Sequence, residues 1–244
     1  MPPSKDLSLA NRLIASLPSR ERSLFFEESE LVELKVSMVL TEAGHAPTYA
    51  YFPVDGFVSL SLPMAGKPNA ELTLVGNEGM FSTSTALGVS ESAFTCTVQG
   101  AGRFFCIHQT QLQHLLAENV CLNDSLKRYV HACLSCLALQ AACVNLHSIE
   151  QRSARWLLMT RDRADSSEIF LTHDTLAVLL GVRRESVTRA AGALQRYGLI
   201  SYGRGYLVLL DESRLEGVAC PCYLTDLQLH EDALSRPPHA CHTP

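Results

Sequence analysis

Several things are missing from this 244-residue sequence, and each absence removes a class of protein. No stretch reaches the roughly 18 uninterrupted apolar residues of a membrane span, and Met1 to Asn11 lacks the basic-then-apolar layout of a secretory leader. The expected location is therefore the cytoplasm, without a membrane partner. A basic surplus is also absent: 20 Lys and Arg face 25 Asp and Glu, which argues against a protein that coats nucleic acid nonspecifically. No cysteine precedes Cys96. The nine in the chain are irregularly spaced in a sequence far longer than disulfide-stapled domains, so reduced and mostly buried thiols are expected. Catalytic constellations are missing too. His108 and His131 lack a partnered nucleophile in any recognised local pattern, and Gly76-Asn77-Glu78-Gly79 is too short to cradle a phosphate, so no enzyme is read here.

What is present changes texture along the chain. Leu13, Ile14 and Leu17, then Leu24 to Phe26 beyond Pro18, have helical spacing. From Leu31 come short apolar or alternating runs at Leu31 to Lys35, Tyr49 to Phe52, Phe57 to Leu62, Ala70 to Val75, Phe94 to Val98 and Arg103 to Ile107. Turn residues separate them, which predicts an antiparallel sandwich or barrel. Helix returns at Gln109 to Ala117 and in a long segment from Leu122 to Leu146. There Leu126, Val130, Cys133, Leu137, Gln140 and Val144 follow alternating spacings of four and three, a heptad seam. Such a stripe either packs on its own domain or pairs with the same helix of a second chain. Pairing in a homodimer is the reading favoured by one seam sustained over several turns. A further amphipathic helix, Ile149 to Asp162, follows Ser148 as a candidate N-cap.

The most informative segment is Leu171 to Gly198. Thr172 caps an apolar helix through Leu180, Gly181 supplies a turn, and a second helix runs from Arg183 to Tyr197, which is the spacing of a helix-turn-helix. Four arginines, Arg183, Arg184, Arg189 and Arg196, accompany a single acid, Glu185, on that second helix. Its local charge thus opposes that of the whole chain, as suits site-specific docking on DNA. Val187, Ala190, Ala191 and Leu194 can face inward, leaving Arg184, Glu185, Ser186, Thr188 and Arg189 outward. A generic helical hairpin has the same pattern. The two short runs around Gly203-Arg204-Gly205 that follow, Leu199 to Tyr202 and Tyr206 to Leu210, favour a winged helix-turn-helix instead.

This order of parts resembles the cyclic-AMP receptor and fumarate-nitrate regulator superfamily, Crp/Fnr, over about Leu31 to Leu210. The likeness is greatest in Leu-Gly-Val-x-Arg-Glu-x-Val-x-Arg, which begins at Leu180. The resemblance implies an α+β chain: an N-terminal antiparallel β-roll of the cyclic-nucleotide-binding type, a long dimerisation helix and a C-terminal winged helix-turn-helix. It implies residues 1–118 for the roll with its N-terminal helices, 119–146 for the dimer helix, 147–213 for the DNA-binding domain and 214–244 for a partly disordered tail. By position, Arg184 and Arg189 match guanine-reading arginines and Glu185 a cytosine-reading glutamate. Arginine can form a bidentate pair with guanine, and a carboxylate can accept from cytosine N4. Half-sites like TGTGA in a palindrome are the expected target. Arg183, Ser186, Thr188 and Arg204 are expected on phosphates, which position without specifying. Arg183 stands where a serine N-cap is common. Double-stranded DNA and a second copy of the chain are thus the expected partners, with RNA polymerase and a small-molecule effector left open.

The sensor half departs from the resemblance. Cyclic-AMP-binding members hold the ribose with a Gly-Glu pair and the cyclic phosphate with an Arg-Ser or Arg-Thr pair. Here Met80 aligns with the glutamate and Phe94 with the arginine, and no arginine lies between Val75 and Gly102. Cyclic AMP held in the usual way is not expected, no cofactor is read, and Glu78 serves the ribose only if the loop is rebuilt. The N-terminal cysteines of an iron-sulfur sensor are missing. Cys133, Cys136 and Cys143 lie on the dimer helix, and Cys220, Cys222, His239, Cys241 and His242 lie beyond the wing. One residue between Cys220 and Cys222 is not the spacing of a structural zinc site. No metal site is read. Two rivals remain: a constitutive DNA-binding protein whose roll senses nothing, and a thiol-redox or metal-responsive regulator using the helix or tail cysteines.

Overall fold

The computed structural model describes residues 7–235 except Gly66, Asp165, Arg204 and Gly205. A 3-10 turn (Leu7–Leu9), α1 (Arg12–Ala15) and α2 (Ser19–Glu27) precede the strands β1 (Glu30–Leu34), β2 (Val39–Thr41), β3 (Tyr49–Pro53), β4 (Phe57–Met64), β5 (Lys67–Val75), β6 (Thr95–Gly100) and β7 (Gly102–His108). The short helix α3 (Thr83–Ala86) lies between β5 and β6. The strands pair antiparallel in two sheets, β1-β7-β3 and β2-β6-β4-β5. Alternation along β3 and β6 turns Ala50, Phe52, Cys96 and Val98 inward, as the period-two geometry of a strand requires. Leu34, Val58, Val98 and Phe104 form a core shared by the two sheets. Phe25, Phe52, Phe105, Leu112 and Leu126 make a second core with α2 and the helices that follow. The predicted roll is present. The added strand, β2, has too few residues to show a period.

After β7 come α4 (Gln109–Glu118), α5 (Val120–Leu146) and α6 (Ile149–Ala164). Ser148 does cap α6: its Oγ accepts from Gln151 N at 3.3 Å while Gln151 Oε1 accepts from Ser148 N at 3.1 Å, a reciprocal capping box. Then follow β8 (Glu168–Phe170), α7 (His173–Leu180), α8 (Arg184–Arg196), β9 (Ile200–Gly203) and β10 (Tyr206–Leu209). The last sheet has the order β8-β10-β9, so the wing gains a strand that the sequence reading leaves as the approach to Leu171. Beyond it, α9 (Glu212–Val218) and α10 (Cys222–Ser235) replace most of the expected tail. α10 runs against α5, and Cys222, Tyr223, Asp226 and His230 are buried. The expected disorder of 236–244 and the ligand types His239, Cys241 and His242 fall outside the described residues. Cys121 is disulfide-bonded, against the expectation of reduced thiols; the other described cysteines are free.

The proposed dimer seam needs correction. Leu126 (1% exposed) and Val130 (7%) are buried within the chain. Cys133 and Leu137 are half-buried beside the roll, and Gln140 accepts from Arg155 at 2.6 Å; of that set, Val144 is exposed. The exposed residues Lys127, His131, Leu134, Ala138, Ala141 and Asn145 follow the same alternating spacing, displaced by one residue. Two adjacent stripes of α5 therefore obey one period. The more apolar stripe lies in the chain's own core, where burial of apolar surface favours it. α5 is also long and apolar enough in composition to cross a bilayer, but Leu122, Leu126 and Tyr129 are used in the core under the roll.

Candidate DNA-binding surface and sensor cavity

The helix-turn-helix is set by local rules. Thr172 Oγ1 accepts from Thr175 N at 3.1 Å at the start of α7. Gly181 ends it at φ 64°, ψ 37°, a left-handed conformation in which a side chain would be strained. α8 then buries Val187, Ala190, Ala191 and Leu194, three of them, Val187, Ala191 and Leu194, in one cluster with Leu157, Leu158, Leu176 and Leu180. Its other face leaves Arg183, Arg184, Glu185, Thr188 and Arg189 exposed and Ser186 half-buried. The Arg183 side chain makes no capping bond; its carbonyl instead accepts from Ser186 N at 3.0 Å. Arg204 lies outside the described residues, between Gly203 on β9 and Tyr206 on β10.

A second layer that sequence reasoning missed orients this face. Asp174 on α7 lies 3.3 Å from Arg184 Nε, with both side chains exposed. Thr188 Oγ1 sits 3.1 Å from His173 Nδ1 and donates to Arg184 O at 3.1 Å. The His173 ring stacks on Tyr202 from β9 with centroids 4.4 Å apart. Burial, then the charge of Arg184, pulls the His173 pKa below its ordinary value, favouring a neutral ring. The position of His173, two residues after Leu171, carries no sequence signal for this role.

In the roll, a cavity of about 240 Å³ opens between β5, the segment Met80 to Phe94 and α5. Met80 and Phe94, at the positions aligned with glutamate and arginine, line it beside Leu87 and Val130. None of the described lining residues is an arginine or lysine; the charged or titratable groups there include Glu91 and His230. Glu78 has a different use. Its carboxylate accepts from Gly76 N at 3.1 Å and pairs with Arg163 Nε from α6 at 3.0 Å, both side chains being almost fully buried. A Cβ on Gly76 would approach Arg163 Cγ to 2.5 Å, so only glycine leaves room for the aliphatic stem of this arginine. Asp226 on α10 lies 3.6 Å from Arg163 and 3.5 Å from Arg155. Burial disfavours the charged form of Arg163, but Glu78 and Asp226 outweigh it and raise its pKa. This network joins the roll, α6 and α10.

Residues 151–218 match the Crp-like helix-turn-helix domain family. The fold as a whole is similar to a transcriptional regulator of the Crp/Fnr family from Eubacterium rectale, at 18% identity and TM-score 0.66, covering 84% of this chain and 96% of that one. A Crp/Fnr-family regulator from Thermus thermophilus matches at 24% identity and TM-score 0.60, over 78% of this chain and 98% of that one. The c-di-GMP-responsive global regulator from Xanthomonas campestris matches at 16% identity and TM-score 0.60, over 79% and 99%. No curated protein matches the chain in sequence.

Proposed function

We propose that a Crp-like helix-turn-helix domain, carried by a roll whose described cavity lining holds no lysine or arginine, makes this chain a dimeric, sequence-specific transcription regulator. The observation that carries the reading is the exposed head of α8, where Arg184, Glu185 and Arg189 stand free of the core that holds the helix. Arg184 and Arg189 read guanines and Glu185 a cytosine; Arg183, Ser186, Thr188 and Arg204 rest on phosphates. Two such helices about 34 Å apart address a palindrome of TGTGA-like half-sites. The pairing surface of α5 is the exposed stripe through Leu134, Ala138 and Ala141, where small residues allow close approach and Asn145 sets register. The protein acts in the cytoplasm on double-stranded DNA, with RNA polymerase as the next partner. Its effector is an uncharged, apolar small molecule rather than a cyclic nucleotide, since a buried phosphate needs a paired cation. That another protein of this fold responds to c-di-GMP supports a scaffold whose ligand varies.

The test combines sedimentation with binding to duplexes at one fixed salt concentration. A dimer that prefers an inverted repeat of TGTGA to a scrambled repeat is expected. A monomer at working concentration, with equal affinity for both duplexes, would overturn the reading.

A further inference from the structure

We infer that Cys143, Cys220 and Cys222 form a binding site for one thiophilic divalent ion of the zinc and cadmium class. Cys143 sits in the last turn of α5, and Cys220 and Cys222 flank Pro221 at the start of α10. All three are buried, and their Sγ atoms lie within 4.8 Å of one another. The distance between Cys143 and Cys220 is 3.5 Å. A disulfide would need about 2 Å, whereas two thiolates bound at about 2.3 Å in a tetrahedron stand roughly 3.8 Å apart. The spacing of Cys220 and Cys222 is too short for a zinc motif by itself; the fold supplies the third ligand from α5.

Electrostatics favour the same occupant. Three thiolates around a divalent ion carry one net negative charge. Arg155 is buried beside the cluster, and its Nε makes no hydrogen bond. Metal binding at the three thiols would release their protons. A neighbouring group, Cys136, Asp226 and His230, is also close enough to hold an ion. Its polar atoms are committed elsewhere: Asp226 faces Arg155 and Arg163, and His230 Nδ1 is 3.0 Å from Asp226 O. A metal at the three cysteines would staple the end of the long helix to the segment that leaves the DNA-binding domain.

The experiment uses full-length, reduced protein freed of metal by chelation and titrated with Cd²⁺. One equivalent per chain should produce a thiolate-to-metal charge-transfer band, raise the melting temperature, and give a cadmium NMR signal characteristic of three sulfur ligands. Cys143→Ser and Cys222→Ser should each lose the band, while Cys136→Ser keeps it. Because the NMR signal and stoichiometry are read on the unaltered chain, poor folding of a variant leaves the inference testable. No band at one equivalent, a signal of fewer sulfurs, survival of the band in Cys143→Ser, or its loss in Cys136→Ser would each overturn the site.

Discussion

Glu78 on the roll and Arg163 on α6 meet at 3.0 Å with side chains 8% and 5% exposed, so one buried ion pair fastens the roll to the half of the chain that carries the helix-turn-helix. The residue that the sequence offers as a misplaced ribose ligand is instead an interdomain tether. Removing one partner of such a pair leaves the other charge buried and costs about 3–5 kcal/mol. Glu78→Ala should therefore lower the urea midpoint sharply. Glu78→Leu combined with Arg163→Leu should recover part of the loss, because no unpaired charge remains and Asp226 keeps Arg155. Equal stability of Glu78→Ala and the parent in urea would remove the tether from the account.

Glu71 on β5 provides a pH test. α7 packs against β5, and Glu71 borders a space shared with Arg152, Trp156 and Leu180. Burial, partly offset by a hydrogen bond with Ser59, pushes its carboxyl up to about 7. A raised acid favours the folded state while protonated, so its contribution is complete below the unfolded value of 4.5 and is lost as pH rises through about 7. The full change is on the order of 3 kcal/mol. Glu71→Gln should match the parent in urea denaturation near pH 4 and exceed it at pH 8. A constant difference across that window would refute the assignment.

Specificity should divide along α8. Arg184→Ala and Arg189→Ala are each expected to cost ~1–3 kcal/mol on the preferred operator and to relax selection at one base pair. Arg183→Ala should weaken all duplexes alike and reduce the salt slope by about one. Asp174→Asn, which frees Arg184 from its competing carboxylate, should tighten binding modestly. These effects are read by titrating single-base operator variants at two salt concentrations; equal losses on random DNA for Arg184→Ala would contradict base reading.

How far the sequence reveals this molecule depends on what each element buries. α8 is legible because its inward face is Val187, Ala190, Ala191 and Leu194 and its outward face carries charge, so period and chemistry agree. Ser148 is legible because a cap acts within one turn. α10 is not, because its buried face includes Asp226 and His230 while Leu224 is exposed; hydrophobic periodicity cannot report a helix that buries polar groups in ion pairs. The cysteine cluster is hidden by the 77 positions that separate Cys143 from Cys220. Met80 and Phe94, by contrast, mark in the sequence the loss of the charges expected there, but the apolar cavity they line is visible only in the fold.

The two stripes of α5 make the last prediction, because they separate folding from pairing. Leu126 is 1% exposed and belongs to the core under the roll, so Leu126→Ala should cost about 2–5 kcal/mol through lost contacts and a cavity. Ala141 is exposed on the displaced stripe, and surface changes away from special features usually stay within about 0.5 kcal/mol. Ala141→Glu should accordingly leave the monomer fold intact by circular dichroism. Placed on a seam near a two-fold axis, however, it sets two carboxylates against each other, so the dimer should dissociate in sedimentation and affinity for an inverted repeat should fall towards that of a half-site. If Ala141→Glu stays dimeric while Val144→Glu separates the chains, pairing follows the stripe that includes Val144, and α5 must rotate from the position seen here before two copies can meet.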